Sequence, residues 1–216
     1  MTFASFPSRE HAGRELALRL KSMAIEDPVV LALPRGGVPI AAEVARVLHA
    51  PIDLLLVRKI GVPSMPELAA AAIVDGEKPE LVLNQSVMEA AGLTAADIYS
   101  LADEQVAEIE RRRRLYLADR KPVAVKDKSV IVIDDGIATG TTAKAALQAL
   151  RRRAPKAIIL AVPVGSSETL TDLGAYADQV VCLQQPAFFY AIGQFYADFH
   201  QLTDEEVIEA LGAHQA

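Results

Sequence analysis

The sequence has little of what several protein classes require. Its 216 residues include a single cysteine, Cys182, which excludes an internal disulfide and a zinc site built on cysteines. No apolar run reaches the roughly 18 residues of a membrane span. The first residues lack the basic and then apolar pattern of a secretory signal. We therefore expect one soluble, cytoplasmic domain over residues 1–216, with no membrane partner.

The sequence also has fewer basic than acidic residues. Lysine and arginine total 22 against 28 aspartate and glutamate, for a net charge of -6. Binding nucleic acid without sequence preference needs a basic surface, so no nucleic-acid partner is expected. Residues 157–216 contain eight acidic residues and no lysine or arginine. The cations for any bound anion must therefore come from the first 156 residues.

Short apolar runs alternate with helical patterns along the chain. The runs cover residues 28–33, 52–57, 129–133, 157–162 and 179–183. Helices are predicted over residues 9–23, 38–48, 94–117, 141–153 and 166–176. This alternation predicts an α/β fold with a doubly wound, Rossmann-like, mainly parallel sheet. The predicted core spans about 28–183, with a helical insertion at about 86–120 and a tail outside the sheet at about 184–216.

The most specific pattern is VIVIDDGIATGTT, at residues 130–142. Four apolar residues bring a buried strand to its carboxyl end, where open α/β sheets bind ligands. Asp134 and Asp135 follow, and a loop of small residues then opens a helix. Backbone N–H groups at residues 138–142 and the helix N-terminus suit an anion, and threonine hydroxyls add donors. Carboxylates beside such a cradle suit sugar hydroxyls or hydrated Mg²⁺, so the pattern indicates a ribose 5-phosphate.

These thirteen residues resemble the signature with which type I phosphoribosyltransferases bind 5-phosphoribosyl-1-pyrophosphate (PRPP), and the whole layout is similar to a bacterial branch of that family. The sequence PRGG at residues 34–37 follows the first core strand, where the family has its pyrophosphate loop. The resemblance implies a cis peptide between Arg35 and Gly36. Residues 60–66 suit the family's mobile lid, with Glu67 at its far edge. An ordinary strand–turn–helix connection remains an alternative for residues 34–37, and a surface position without function remains one for Glu67.

The resemblance implies a Mg²⁺-dependent transfer of ribose 5-phosphate from PRPP to a small nitrogenous base, with release of pyrophosphate, in nucleotide metabolism. Asp134 and Asp135 would be catalytic and would hold Mg²⁺ through water. Arg58 or Lys59, at the end of the second predicted strand, would stabilise the leaving pyrophosphate unless both are solvated strand-end charges. The implied PRPP-binding residues are Arg35, Gly36, Gly37, Asp134, Asp135, Ala138, Thr139, Gly140, Thr141 and Thr142.

The accepting base is not identified by the sequence. Ala138 stands where family members that use 6-oxopurines carry an acidic residue, and in this the chain resembles members that use adenine or orotate. The C-terminal segment has no arginine for an orotate carboxylate, which favours a neutral base, although Arg9 or Arg14 could supply one from the N-terminal segment. The aromatic-rich residues 186–199 are the candidate hood over the base. Phe189 and Tyr190 are its candidate base contacts, although these rings would also suit a small packing core. Two other functions stay open, a PRPP-binding sensor without catalysis and hydrolysis of PRPP, as does a homodimer.

Overall fold

A computed structural model describes residues 5–76, 79–118 and 120–212, except for the side chain of Glu67. Its helices are α1 (Arg9–Lys21), α2 (Gly37–Leu48), α3 (Gln85–Ala91), α4 (Ala95–Leu117), α5 (Thr141–Arg152), α6 (Ser167–Leu173) and α7 (Asp204–Gly212), with a short 3-10 helix at Ile192–Phe195. Its strands are β1 (Pro28–Ala32), β2 (Ile52–Leu54), β3 (Val57–Val62), β4 (Met65–Val74), β5 (Glu80–Leu83), β6 (Ser129–Ile133), β7 (Ala157–Val164) and β8 (Gln179–Gln184).

The main sheet is parallel and has the order β2-β1-β6-β7-β8. Its central strand β6 is buried along its whole length because helices cover both faces. The predicted doubly wound α/β sheet is thereby confirmed. The direction in which strands are added reverses between β1 and β6. A reversal of this kind opens a crevice at the carboxyl ends of the two strands, where ligands bind.

The register of β1 and β6 makes the two strands end level with each other. Pro28 pairs with Ser129 at one end, and Ala32 pairs with Ile133 at the other. The chain therefore leaves both strands at the same sheet edge. The segment that follows β1 is the predicted pyrophosphate loop, residues 34–37. The segment that follows β6 starts with Asp134 and Asp135.

A second, antiparallel sheet has the order β3-β4-β5, and the sequence did not predict it. The single strand predicted over residues 52–57 is wrong, because β2 ends at Leu54 and β3 begins at Val57. Arg58 and Lys59 consequently lie inside β3 rather than at a strand end. The alanine-rich β4 escaped notice because alanine has low strand propensity. The predicted lid, residues 60–66, is the tip of the β3–β4 hairpin, with its turn at residues 63–64.

Two apolar layers enclose the main sheet. One layer joins α1, α2 and α7, with Leu16, Ile40 and Leu211 among its fully buried side chains. The other contains the buried face of α5, including Leu147 and Leu150. Helix α7 thus belongs to the main core, although it lies in the segment predicted as tail. Among the residues described, no helix is both long and apolar enough to cross a membrane.

Helix α4 matches the predicted helix closely. Thr94 caps its N-terminus in a reciprocal capping box with Asp97, which explains where the helix starts. Ile98 and Ile109 are fully buried on its inner face. This helix forms most of the predicted insertion and packs against β3 and β4.

Candidate active site

The pyrophosphate loop touches both strand ends because two of its residues lack a side chain. The Leu33 N–H donates to the Ile133 carbonyl at 2.8 Å, which ties the start of the loop to β6. A Cβ on Gly37 would lie 2.5 Å from that carbonyl oxygen, and a Cβ on Gly36 would lie 1.9 Å from Oδ2 of Asp135. Glycine is therefore required at both positions. The cis peptide joins Pro34 to Arg35, so the expected Arg35–Gly36 position is wrong by one bond. Neither bond precedes a proline, so residue type did not favour one over the other.

Asp135 is held from three sides. Its carboxylate Oδ2 lies 3.0 Å from Nε of Arg9, in an ion pair whose side chains are 8% and 11% exposed. Its backbone carbonyl accepts the Tyr196 hydroxyl at 2.7 Å. Its third neighbour is the Gly36 backbone. The residue is buried as a whole, and it links the signature to the pyrophosphate loop and to the C-terminal segment.

Arg9, the first residue of α1, lies at the site through an ion pair that the sequence did not reveal. Its guanidinium donates through Nη1 to the His200 carbonyl at 3.0 Å and lies 4.0 Å from the ring centre of Phe199. The ion pair with Asp135 spans 126 positions of the chain. No local pattern in a single sequence reports a pair so far apart. The sequence offered Arg9 only as one of two N-terminal arginines that could lie near the base.

Asp134 is half-buried, and its Oδ1 accepts the N–H of Asp135 at 2.9 Å. Burial, and next the negative charge of Asp135, raise the pKa of Asp134 well above its usual range. Burial also raises the pKa of Asp135, although Arg9 acts in the opposite direction. Two adjacent carboxylates, only one of them neutralised by an arginine, favour a ligand that brings hydroxyl groups or positive charge.

The phosphate loop, residues 138–142, is open to solvent at four of its five positions. Gly140 has φ +69°, a backbone conformation that suits glycine, and it caps the N-terminus of α5. A Cβ there would lie 2.6 Å from the methyl carbon of Thr169. The Thr169 hydroxyl also donates to the Ala138 carbonyl at 2.8 Å, which fixes the loop against α6. The exposed N–H groups at this helix start form a cradle suited to a phosphate.

The predicted cations lie in two different places. Arg35 belongs to the pyrophosphate loop, and its Nη1 lies 3.8 Å from Oδ1 of Asp204 at the start of α7. Arg58 instead donates through Nε to the Gln105 side chain of α4 at 3.0 Å. Its neighbour Lys59 is exposed on the same strand. Among the residues that the structure describes, no hydrogen bond or ion pair joins Arg58 to a signature residue. The side chain of Glu67 lies outside the part of the chain that the structure describes.

The aromatic residues near the C-terminus divide into two groups. Phe195 and Tyr196 are buried in a small cluster with Phe6, and Phe189 stacks on Phe195 at 5.4 Å. Phe188 and Tyr190 are 77% and 85% exposed. Of the two candidate base contacts, Phe189 therefore contributes to packing, whereas Tyr190 offers a free ring face.

The residues described contain no group of three or more His, Cys, Asp or Glu side chains that could enclose a metal. Mg²⁺ is commonly held by one or two carboxylates together with waters and the oxygens of a phosphate ligand. Asp134, half-buried and beside the phosphate loop, fits that type of site. The donor set is therefore compatible with Mg²⁺ that arrives with a phosphorylated ligand.

Comparisons with known proteins identify the family. Proteins from two strains of Mycobacterium tuberculosis, each named "putative phosphoribosyl transferase", are 45% identical over 206 residues. The match covers 95% of this chain but 46% of theirs, so the chain spans about half the length of these curated relatives. The crystal structure of TT1426 from Thermus thermophilus is 40% identical, with a TM-score of 0.84, and the match covers 96% of this chain and 97% of that one. A family model described as the phosphoribosyl transferase domain matches residues 4–200. The chain belongs to the phosphoribosyl transferase family.

Proposed function

We propose that this protein transfers ribose 5-phosphate from PRPP to a small nitrogenous base in a Mg²⁺-dependent reaction that releases pyrophosphate. One observation carries the proposal. The glycine-lined pyrophosphate loop approaches the residues that follow β6, where two carboxylates precede the phosphate loop and the N-terminus of α5 along the chain. A phosphorylated sugar with a diol and a second anionic group matches that set of partners.

Each part of the ligand has a matching group in the chain. The 5-phosphate would accept hydrogen bonds from the N–H groups and threonine hydroxyls of the phosphate loop. The ribose diol, and water on Mg²⁺, would donate to the carboxylate of Asp134, the more exposed of the two that follow β6. The pyrophosphate would lie on residues 35–37, with the Arg35 guanidinium neutralising part of its charge. Mg²⁺, when bound, would supply further positive charge at the pyrophosphate oxygens.

The reaction separates charge, and this explains the need for fixed carboxylates and cations. As the bond from the sugar to pyrophosphate breaks, the ring gains oxocarbenium character and the leaving group gains negative charge. Carboxylates near the ring and cations at the leaving group stabilise that distribution more than they stabilise the ground state. Lys59, or Arg58, would add a cation when the β3–β4 hairpin closes over the site.

The base is assigned to the exposed aromatic residues of the C-terminal segment. Tyr190 offers a ring face for stacking, and Phe189 would support it from the aromatic cluster. A base stacked on an aromatic ring is worth roughly 1–3 kcal/mol in nucleic-acid complexes, so Tyr190→Ala should raise the KM for the base by about 5–100-fold. Tyr99→Ala, which removes an exposed tyrosine of α4, is the matched control.

The deciding experiment combines PRPP, Mg²⁺ and a panel of neutral and anionic bases, and follows pyrophosphate release. Release that depends on one base would identify the acceptor. Release without any base would indicate hydrolysis, and binding of PRPP without turnover would indicate a sensor. If calorimetry detects no binding of PRPP in the presence of Mg²⁺, the proposed function is wrong.

A further inference from the structure

We propose that Arg9 is a positioning residue. It holds Asp135 as a brace between the pyrophosphate loop and the C-terminal segment, and it leaves Asp134 to face the ribose. The assignment of ribose as the ligand of Asp134 rests on the proposed function. The role of Arg9 as a brace is argued only from contacts within the chain. The two signature carboxylates would then have different tasks.

The first step concerns which carboxylate is available. Asp135 is 8% exposed, and Oδ2 of its carboxylate lies on Nε of Arg9. To bring Oδ2 to a sugar hydroxyl, the carboxylate would have to leave the guanidinium, and two buried opposite charges would be separated. Breaking a buried ion pair in this way is strongly unfavourable. Asp134 is half-buried and pairs only one of its oxygens with a backbone N–H among the hydrogen bonds described.

The second step concerns the pyrophosphate loop. The Asp135 carboxylate lies so close to Gly36 that a Cβ would meet Oδ2 at 1.9 Å. The position of this oxygen therefore limits where the loop backbone can lie. Because Arg9 fixes the oxygen, it also fixes the loop, although Arg9 is itself far from the loop along the chain.

The third step concerns the C-terminal segment. The same guanidinium donates to the His200 carbonyl and lies over the ring of Phe199, in a geometry that favours a cation–π contact. Tyr196 adds a hydrogen bond from its hydroxyl to the Asp135 carbonyl. One ion pair thus connects the loop assigned to pyrophosphate with the segment assigned to the base. A change at Arg9 should therefore affect both halves of the site.

Hydrogen exchange, measured without ligand, tests the brace on amides whose hydrogen bonds are known. Val38 N–H donates to the Arg35 carbonyl, and Ala197 and Asp198 N–H donate to the carbonyls of Phe6 and Pro7. In Arg9→Met, exchange at these amides should accelerate about tenfold or more, because members of one hydrogen-bond network are energetically coupled. The amide of Lys144 in α5 should keep its wild-type rate.

Two further variants at position 9 and at its partner sharpen the test. Arg9→Lys keeps the charge but not the planar, forked guanidinium. Exchange at the Val38 amide should therefore stay near its wild-type rate, whereas exchange at the Ala197 and Asp198 amides should be accelerated. Arg9→Met combined with Asp135→Asn removes both charges. It should be closer to wild type in stability than Arg9→Met alone, and it remains measurable if the single variant does not fold.

Arg14→Met is the matched control, because Arg14 lies on the same helix in a more exposed pair with Glu43 at 3.3 Å. The brace is refuted if Arg9→Met accelerates exchange no more than Arg14→Met does. It is also refuted if the acceleration includes Lys144 to the same degree, since that would indicate general destabilisation.

Calorimetry with PRPP and Mg²⁺ keeps this inference separate from the proposed function. If wild-type protein does not bind PRPP, the proposed function fails, and exchange still decides on the brace. If it binds, Asp134→Asn should weaken PRPP binding without accelerating exchange at Ala197. Asp135→Asn should do both. Equal exchange profiles in these two variants would contradict the division of tasks.

Discussion

A single missing methyl group defines how closely the pyrophosphate loop and the signature approach each other. Gly36 has ordinary helical backbone angles, so the requirement for glycine there comes from space and not from φ. The carboxylate of Asp135 occupies the volume that a Cβ would need. The same atom belongs to the Arg9 ion pair, so it cannot move aside without breaking that pair.

Gly36→Ala should therefore destabilise the protein and weaken PRPP binding together. Overpacking of this kind typically costs about 1–3 kcal/mol in the free energy of unfolding. Urea unfolding measures the stability, and calorimetry measures the binding. Gly212→Ala is the control, because a Cβ there would have no neighbour within 4 Å. Wild-type stability and affinity in Gly36→Ala would show that the loop and the carboxylate are not in contact.

A second residue-scale feature is His200, which lies between two carboxylates. Its Nδ1 is 2.8 Å from Asp198 and its Nε2 is 2.9 Å from Glu206, and these contacts raise the pKa of His200. The folded protein then binds the proton more tightly than the unfolded chain. The stabilisation is complete below the unfolded pKa of about 6.5 and is lost as the pH rises through the higher folded value.

We expect wild-type protein to melt at a higher temperature than His200→Gln at about pH 6, with a difference that shrinks as the pH rises toward about 9. Thermal unfolding of both proteins across that range measures the effect. A difference that stays constant with pH would mean that the charged form of His200 contributes nothing.

At the scale of elements, the second sheet is joined to α4 and α5 by buried charges. Arg113 of α4 forms an ion pair with Asp75, which follows β4, and Arg153 after α5 donates to the carbonyl of the same residue. Asp75 is 4% exposed, and burial raises its pKa despite the nearby arginine. The arrangement holds the hairpin base while its tip stays free of these contacts.

Arg113→Met should destabilise the protein by about 3–5 kcal/mol, because it leaves a buried carboxylate unpaired. Adding Asp75→Asn should recover part of that loss. Arg114→Met, which removes an exposed arginine from the next position, is the control. Chemical denaturation of the wild type and these three variants measures the free energies of unfolding. Equal losses for Arg113→Met and Arg114→Met would contradict this role of the pair.

On the proposed function, the two basic residues of the β3–β4 hairpin are expected to have different roles. Arg58 donates to the Gln105 side chain, and Lys59, at the next position of β3, is exposed. A residue that meets pyrophosphate only on closure affects the rate more than ground-state binding. Lys59→Ala should therefore lower kcat by at least about tenfold, or 1.4 kcal/mol, with little change in PRPP affinity. Arg58→Ala should have the smaller effect on kcat. The reverse order would assign the mobile cation to Arg58.

Different elements were predictable to different degrees, and the reasons are physical. The continuous apolar runs of β1, β6 and β7 were recognisable because both faces of these strands are buried. The start of α4 was recognisable from its cap. β4 was missed because its alanine run lacks the β-branched residues that mark strands, and α7 because its acidic first turn precedes only a few apolar residues. The contacts of Arg9 and Asp135 depend on the closed fold, so no local pattern could report them.

On the scale of the whole molecule, the C-terminal helix completes the core. Val207 and Leu211 of α7 are fully buried, and the helix packs against α2 and α4. These residues lie beyond residue 200, where the match to the family model ends. The helix is thus as much a part of this chain's fold as the matched segment.

Leu211→Ala should cost about 2–5 kcal/mol in the free energy of unfolding, the usual range for a buried leucine. Ile208→Ala, at a residue of the same helix that is 40% exposed, should cost less than about 1 kcal/mol. Urea denaturation of both variants gives the comparison. Similar small losses would show that α7 rests on the core without contributing to its stability.

The position of Asp204 has a consequence for the energetics of ligand capture. Arg35 already has a carboxylate neighbour inside the chain, and that carboxylate also accepts the Tyr116 hydroxyl. If Arg35 binds pyrophosphate, the pyrophosphate replaces the Asp204 carboxylate as the anion beside the guanidinium. Affinity then reports the difference between two anions competing for one guanidinium, and not the full attraction of a lone cation. Because Asp204 is the first residue of α7, the loss of its contact with Arg35 would also change the surroundings of that helix. Binding at the pyrophosphate loop would then be detectable at α7, far away along the chain.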